Sequence, residues 1–212
     1  GVATAECYID FNTFICPDSF EVARFAAGSA ARAAEEALDG HSCFALVRPP
    51  GHHAGPGRAS GYCLVNNVAV AAARALCSVD RVAIVDWDLH HGNGTQEIFY
   101  GNDRVLFCSV HQGEGFPGSG APGETGAGDG RGFTLNAPLA AGCGIADYRL
   151  VFREVLCPAL EKFRPDLLLV SAGQDALADD PKGGMRLVPG DYGILTRMLR
   201  ETTDLPLALA LE

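Results

Sequence analysis

Val82-Ala83-Ile84-Val85-Asp86-Trp87-Asp88-Leu89-His90-His91-Gly92-Asn93-Gly94 is the stretch whose reading decides the fold. Val82 to Val85 form an apolar, strand-like segment, and beyond it carboxylates and an imidazole stand at every second position. Residues i, i+2 and i+4 of an extended segment share a face. Asp86, Asp88 and His90 are therefore expected to converge beyond the carboxyl end of a sheet, where open α/β sheets carry their sites.

Working outward, strand and helix patterns alternate along the chain, the signature of a mostly parallel sheet with helices on its faces. The first helix is expected from Asp18, with Glu21 completing a capping box, to Leu38 before Gly40. Cys43 to Val47 reads as a buried strand leading into Arg48-Pro49-Pro50-Gly51-His52-His53, a loop whose prolines forbid helix. Helices are predicted over Asn67–Leu76, Thr95–Tyr100, Ala146–Lys162 (kinked or shortened by Pro158) and Asp191–Arg200. Strands are predicted over Val82–Val85, Val105–Val110, Phe133–Asn136, Leu167–Ser171 and Leu205–Leu211. Between Gln112 and Arg131 runs a Gly/Pro-rich loop too long for a mere connector, hence a candidate binding loop.

The sequence has 212 residues, 48% of them apolar and 20% charged, which fits one soluble α/β domain. Its apolar runs have strand length and fall short of a bilayer crossing. The formal charge of −10 argues against direct nucleic-acid binding, because a phosphate backbone calls for a basic surface. Eight cysteines with no C-x-x-C pair read as buried thiols in a reducing cytoplasm, not as a disulfide framework or zinc knuckle. The chain opens at Gly1 and stops at Glu212 directly after a strand-like run, so the expectation is a domain truncated at both ends.

Three strand-end loops carry groups that suit a metal: His52-His53, then Asp86/Asp88/His90, then Asp175. Zinc takes nitrogen and oxygen ligands and, in catalytic sites, leaves one position open. The set Asp88, His90 and Asp175 offers one nitrogen and two carboxylates, leaving His52 and His53 to move protons. Against this stand the ordinary readings: Asp175 alone is a helix cap or surface group, and a histidine pair is a polar loop. Asp86 either orients an imidazole or binds a monovalent cation, and the first is favoured. His91 points away from His90 and is structural, and His41 and His111 read as surface or satisfied loop residues.

The ordered motifs RPPGHHA (48–54), SGYC..NN (60–67), VDWDLHHGNGTQ (85–96), FPGSG (116–120) and VSAGQDAL (170–177) closely resemble the zinc-dependent histone deacetylase superfamily. That superfamily includes acetylpolyamine amidohydrolases and acetoin-utilisation proteins. The likeness runs from about Phe11 to Glu212 and leans to the class II branch, since class I usually has an aspartate at the position of Asn93. It implies an arginase/deacetylase-like three-layer α/β/α fold and a single, incomplete deacetylase domain over residues 1–212. The implied activity is zinc-dependent hydrolysis of acetyl-lysine or an acetylpolyamine.

Residue by residue, the resemblance implies zinc ligands at Asp88, His90 and Asp175, a general base at His53, and an electrostatic partner at His52 held by Asp86. Asn93 would orient His53. Tyr62 and Phe116 would wall the substrate tunnel, and the Gly61 carbonyl would receive the substrate amide. Asp86, Ser109 and Val110, with Asp88 and His90, would hold a structural potassium ion. The family's oxyanion tyrosine lies in a Gly-Gly-Tyr motif that would begin where this sequence ends. A chain without it is expected to be impaired by about 3–4 kcal/mol in transition-state binding.

Two rival readings follow from the same residues. An arginase-like ureohydrolase with two manganese ions needs a D-x-H-x-D order that Asp86-Trp87-Asp88-Leu89-His90 lacks. A deacetylase-like domain that binds acylated ligands or partner proteins without turnover describes a chain deprived of the tyrosine. Compact loops and the lack of basic tails point to a bacterial source.

Overall fold

A computed structural model describes residues 6–212. Its centre is a six-stranded sheet of β3 (Cys43–Ala45), β4 (Val82–Asp86), β5 (Val105–Gln112), β6 (Thr134–Leu139), β7 (Leu167–Ser171) and β8 (Leu207–Ala210), after a small antiparallel hairpin of β1 (Cys7–Tyr8) and β2 (Phe14–Ile15). The spatial order is β3-β8-β7-β4-β5-β6, and every pairing in this sheet is parallel. From β4 the chain steps outward through β5 and β6, then returns to lay β7 on β4's other side. The direction of winding thus reverses between β4 and β7, which opens a crevice at their carboxyl ends.

Period-2 alternation divides the core in two. Ala83, Val85, Leu106, Cys108, Leu168 and Val170 face a layer built from α4 (Ile145–Val151), a π turn (Phe152–Leu156), α5 (Cys157–Phe163) and α6 (Pro189–Thr203). Val82, Ile84, Val105, Phe107, Leu167 and Leu169 face the Ala-rich α1 (Ser19–Leu38) and α2 (Asn67–Ala75), with Phe99 of α3 (Asn93–Phe99). Helices on both faces make the three layers expected from the sequence. They also explain why these strands are uninterrupted apolar runs, since neither face meets water.

Several local expectations are corrected. Asp18 stands at the start of α1, but its φ of −85° and ψ of −10° are already helical, so its carboxylate does not cap the turn. Glu21 instead pairs with Arg24 at 2.9 Å, and Ser19 Oγ accepts from the Cys16 amide at 2.9 Å. The helix over Ala146–Lys162 does not end at Pro158. That proline lies in the first turn of α5, where no N–H is needed within the segment, and the preceding π turn absorbs the change of register. Cys63 and Cys108 are buried thiols, Cys43, Cys143 and Cys157 are half-buried against the core, Cys16 is half-buried, and Cys7 and Cys77 are exposed, so not all are the buried thiols expected. The β1–β2 hairpin has no sequence expectation behind it. Its strands have two residues each, and its turn is held by Asp10 Oδ1, which accepts from the amides of Asn12 and Thr13 at 2.9 and 2.6 Å.

Leu169 lies in the central strand β7 against the α1–α2 layer and is 2% exposed. Leu169→Ala is expected to lower unfolding free energy by about 3 kcal/mol through lost burial and the cavity left behind. Urea unfolding should show the loss as a lower midpoint, and an unchanged midpoint would contradict the placement of this strand.

Candidate functional site

Asp86 ends β4 abreast of Ser109 on β5 and Ser171 on β7. Just past that line the backbone folds in a series of aspartate-held turns. Asp86 Oδ1 accepts from the Asp88 amide at 3.1 Å, and Asp88 Oδ1 accepts from the His90 amide at 2.7 Å. This self-bonding habit of aspartate bends the chain without a helix or glycine. From β7, Asp175 reaches across, and its Oδ1 accepts from the Leu89 amide at 2.8 Å.

Three ligand atoms, one each from Asp88, His90 and Asp175, lie within 4.8 Å of one another. His90 Nδ1 is 3.1 Å from Asp88 Oδ1 and 2.9 Å from Asp175 Oδ2. Asp88 is buried, whereas the side chains of His90 and Asp175 stay 26% and 25% exposed, so the cluster is open on one side. Burial opposes charge on His90, but its hydrogen bonds to Asp175 and Asp88 outweigh that and raise its pKa to about 9. Burial would likewise raise Asp88, yet the charge on His52 and the bonds from His90 hold its carboxyl below the usual range. An anionic cage that grips a cation this firmly fits a metal ion with mixed nitrogen and oxygen ligands. Gly173 makes room for it: a Cβ there would sit 1.9 Å from Asp88 Oδ2.

The two histidines of the proline loop sit beside this cage with rings 4.0 Å apart, and their partners differ. His52 Nδ1 donates to Asp86 Oδ2 at 2.9 Å in a setting closed to solvent. Burial alone would strip its proton, but Asp88 and Asp86 reverse that and raise its pKa well above the ordinary value. His53 Nδ1 faces the Asn93 side-chain oxygen at 2.8 Å, an acceptor without charge. Burial, then the neighbouring charge of His52, push its pKa down to about 2. With Nδ1 donating to Asn93, the other ring nitrogen keeps its lone pair. The surroundings thus favour charge on one imidazole and disfavour it on its neighbour, although both come from the same dipeptide.

The remaining sequence-derived residues fall as follows. Gly61 packs so closely on His53 that a Cβ would lie 2.5 Å from its ring, and its φ of +56° continues into Tyr62 at +68°. Left-handed backbone is costly for a tyrosine, and Thr13 Oγ1 helps hold it by accepting the Tyr62 amide at 3.0 Å. The Phe116 ring stands 4.8 Å from His53 and 6.1 Å from His90. Ser109, next to Val110 and beside Asp86, is bonded through Oγ to His111 Nδ1 at 2.9 Å. His91 is structural as expected, bridging Ser119 Oγ at 2.8 Å and Gln96 Oε1 at 3.0 Å. His41 is a surface residue, as expected. His111 is satisfied, but it lies buried on β5, not on a surface or loop, because the strand runs on to Gln112 and its Nε2 meets the Gly120 carbonyl at 3.2 Å.

Sequence reasoning missed Glu212 as a site residue. Its Oε2 accepts from the amides of Gly51 and His52 at 2.6 and 3.0 Å, and its Oε1 from Ser171 Oγ at 3.0 Å. Burial raises its pKa to about 6. The available signal was its position: an acidic residue straight after an apolar parallel strand, as at Asp86. Asn66 and Asn67 anchor the same loop through the carbonyls of Ala54 and Pro49, each at 3.0 Å.

Two substitutions separate these contributions. Gly173→Ala should displace Asp88 and weaken metal affinity by tenfold or more, read as metal content after dialysis against a competing chelator. Retention of full metal content would rule out Asp88 as a ligand. Glu212→Ala leaves two amides and a hydroxyl without their acceptor and should cost about 1–3 kcal/mol of stability, measured by thermal or urea unfolding.

Comparison with known proteins agrees with this geometry. Residues 3–212 match the histone deacetylase domain. The chain is 45% identical over 199 residues to the histone deacetylase-like amidohydrolase of Pseudomonas aeruginosa, covering 90% of this chain and 51% of that protein. The crystal structure of the HD domain of HDA15 superposes with a TM-score of 0.94 at 42% identity, covering 99% of this chain and 61% of that one. The acetylpolyamine aminohydrolase of Burkholderia pseudomallei gives 0.90 at 35% identity, with 96% and 60% covered. The chain spans roughly half to two thirds of the length of such curated relatives, between 51% and 65%. The six-stranded parallel sheet has the arginase/deacetylase fold of these neighbours, and the chain belongs to the histone deacetylase family.

Proposed function

We propose that this protein hydrolyses the acetamide of an N-acetylated primary amine, acetyl-lysine in a protein or an acetylated polyamine, using one zinc ion held by Asp88, His90 and Asp175. The observation that carries this reading is the unequal histidine pair, His52 on the Asp86 carboxylate and His53 on the uncharged Asn93 side chain, set beside a one-nitrogen, two-carboxylate cage. Zinc there would polarise the acetamide carbonyl and bring the pKa of its water to about 7.

The chain's own groups would do the rest. His53, neutral with a free ring nitrogen, takes a proton from the attacking water. A second cation beside His52 is unfavourable, so His53 holds that proton only briefly and passes it to the departing amine nitrogen. The C–N bond breaks, leaving acetate and a primary amine. His52, kept protonated by Asp86, contributes positive charge where the oxyanion forms. Asn93 fixes the tautomer of His53. The Gly61 carbonyl would accept the substrate N–H, and Tyr62 and Phe116 would flank its methylene stem.

A potassium ion near Asp86, Ser109 and Val110 would add local charge to the same strand ends, and the side-by-side register of Asp86 and Ser109 supports that placement. The eight unpaired cysteines support a reducing compartment such as the cytoplasm.

The deciding experiment measures acetate release from acetyl-lysine peptides and acetylpolyamines by the zinc-loaded protein and by His53→Ala. The substitution should lower the rate by about two to four decades without changing zinc content. Equal rates in the two proteins would falsify the assignment of His53 as base.

A further inference from the structure

The Gly/Pro-rich loop from Gln112 to Arg131 carries Phe116, whose ring stands 4.8 Å from His53. Phe116 lies between Gly115 at φ +108° and Gly118 at φ +78°, so its own neighbours lend the backbone little stiffness. Restraint comes instead from the far flank of the loop. Ser119 Oγ meets His91 Nδ1 at 2.8 Å, the Gly120 carbonyl meets His111 Nε2 at 3.2 Å, and a Cβ on Gly120 would lie 2.7 Å from the His91 ring. One side chain ties this flank to α3: Glu124 accepts from the amides of Gly120 and Ala121 at 3.2 and 3.1 Å, and from Gln96 Nε2 at 2.6 Å.

Glu124 dictates the direction of every bond in this group. Burial opposes charge on its carboxyl, but the bonds from Gln96, Ala121 and Gly120 outweigh that and hold its pKa below the usual range, so it only accepts. Gln96 must therefore turn its NH2 to Glu124 and its oxygen to His91 Nε2, 3.0 Å away, and Asn136 Nδ2 donates to the same oxygen at 2.7 Å. Facing that acceptor, His91 Nε2 carries the proton. The neutral ring keeps its lone pair on Nδ1, where the Ser119 hydroxyl donates. Turning Gln96 over would set oxygen against carboxylate and NH2 against NH2. With His91 and Gln96 buried, water cannot repair such a mismatch, so one ordering is favoured.

Resting on the deacetylase reading above, we propose that Glu124 is a positioning residue for substrate binding: through Gln96 and His91 it latches the loop so that Phe116 stands beside His53 as a preformed wall for the substrate's methylene stem. Gln96 lies on α3, whose first residue, Asn93, holds His53 Nδ1 at 2.8 Å. The wall is thereby referred to the same helix that orients the base. Without the latch the loop would sample several conformers, and only the fraction with Phe116 in place would bind, which lowers apparent affinity by that fraction. Chemistry after binding would be spared. Among the described residues, no hydrogen bond from the side chain of Glu124 or Ser119 reaches the histidine pair or the three candidate ligands.

Glu124→Gln keeps the side chain's size but brings a donor where only an acceptor fits. Acetate release from an acetyl-lysine peptide is measured for the zinc-loaded wild type, Glu124→Gln, Phe116→Ala and the double variant. Glu124→Gln should raise KM about tenfold, as for a wall formed one tenth of the time, with kcat within about twofold and zinc content unchanged. In the Phe116→Ala background it should add nothing to KM, because the group it positions is gone. An unchanged KM overturns the proposal, as does a fall in kcat alone. So does an equal loss with and without Phe116, since that marks Glu124 as a general prop. Should Glu124→Gln fail to fold, Ser119→Ala removes the latch at its other end and is held to the same outcomes. Wild-type protein that releases no acetate sinks the deacetylase reading instead. The latch is then judged by hydrogen exchange at the Gly120 and Ala121 amides, which must be faster in Glu124→Gln or the latch falls too.

Discussion

A carboxylate with no exposure to water cannot stay ionised without a cation at hand. Asp86 is such a group, seated at the end of a strand whose two faces are both covered, and His52 is its partner. Much of the site follows from that pairing. Burial first, and then the proton that Asp86 favours on His52 four ångströms away, disfavour a charge on His53. Because Asp86 also accepts from the Asp88 amide, the turn that aims Asp88 and His90 begins at the same side chain. One buried charge thus biases the ionisation and sets the backbone path of its neighbours.

The sheet supplies the rest of the constraint. Strands packed by helices on both sides offer polar groups an outlet only at their ends, and the reversal of winding between β4 and β7 brings two such ends together over an open crevice. The candidate metal cage is divided between them, with Asp88 and His90 after β4 and Asp175 after β7. Neither loop holds enough ligands alone, so the site exists only when the long-range parallel pairing of Val82–Asp86 with Leu167–Ser171 has formed.

What the sequence revealed follows the same logic. The apolar runs at 82–85, 105–108 and 167–170 were legible because full burial on both faces leaves no polar position until the strand nears its end, and Asp86, Asp88 and His90 stood out because their spacing repeats the strand period. Asp175 carried little signal alone and stood out only beside Asp88 and His90. Glu212 was not legible as part of the site, because two of its three donors are backbone amides, which leave no mark in a sequence. His111 was misplaced because strand β5 runs further than its apolar core. The path around Pro158 was invisible since a π turn has no residue signature distinct from a helix.

Glu212 has a mechanical consequence. Through three hydrogen bonds it fastens the loop of His52 to the ends of β7 and β8, strands otherwise occupied with packing. A loop held only by its own turns fluctuates as loops do, whereas one clamped to a buried sheet inherits that sheet's stiffness. The spacing between the histidine pair and the metal cage is then as fixed as the register of the strands. In this molecule the tolerance of the candidate site is set by the rigidity of the core.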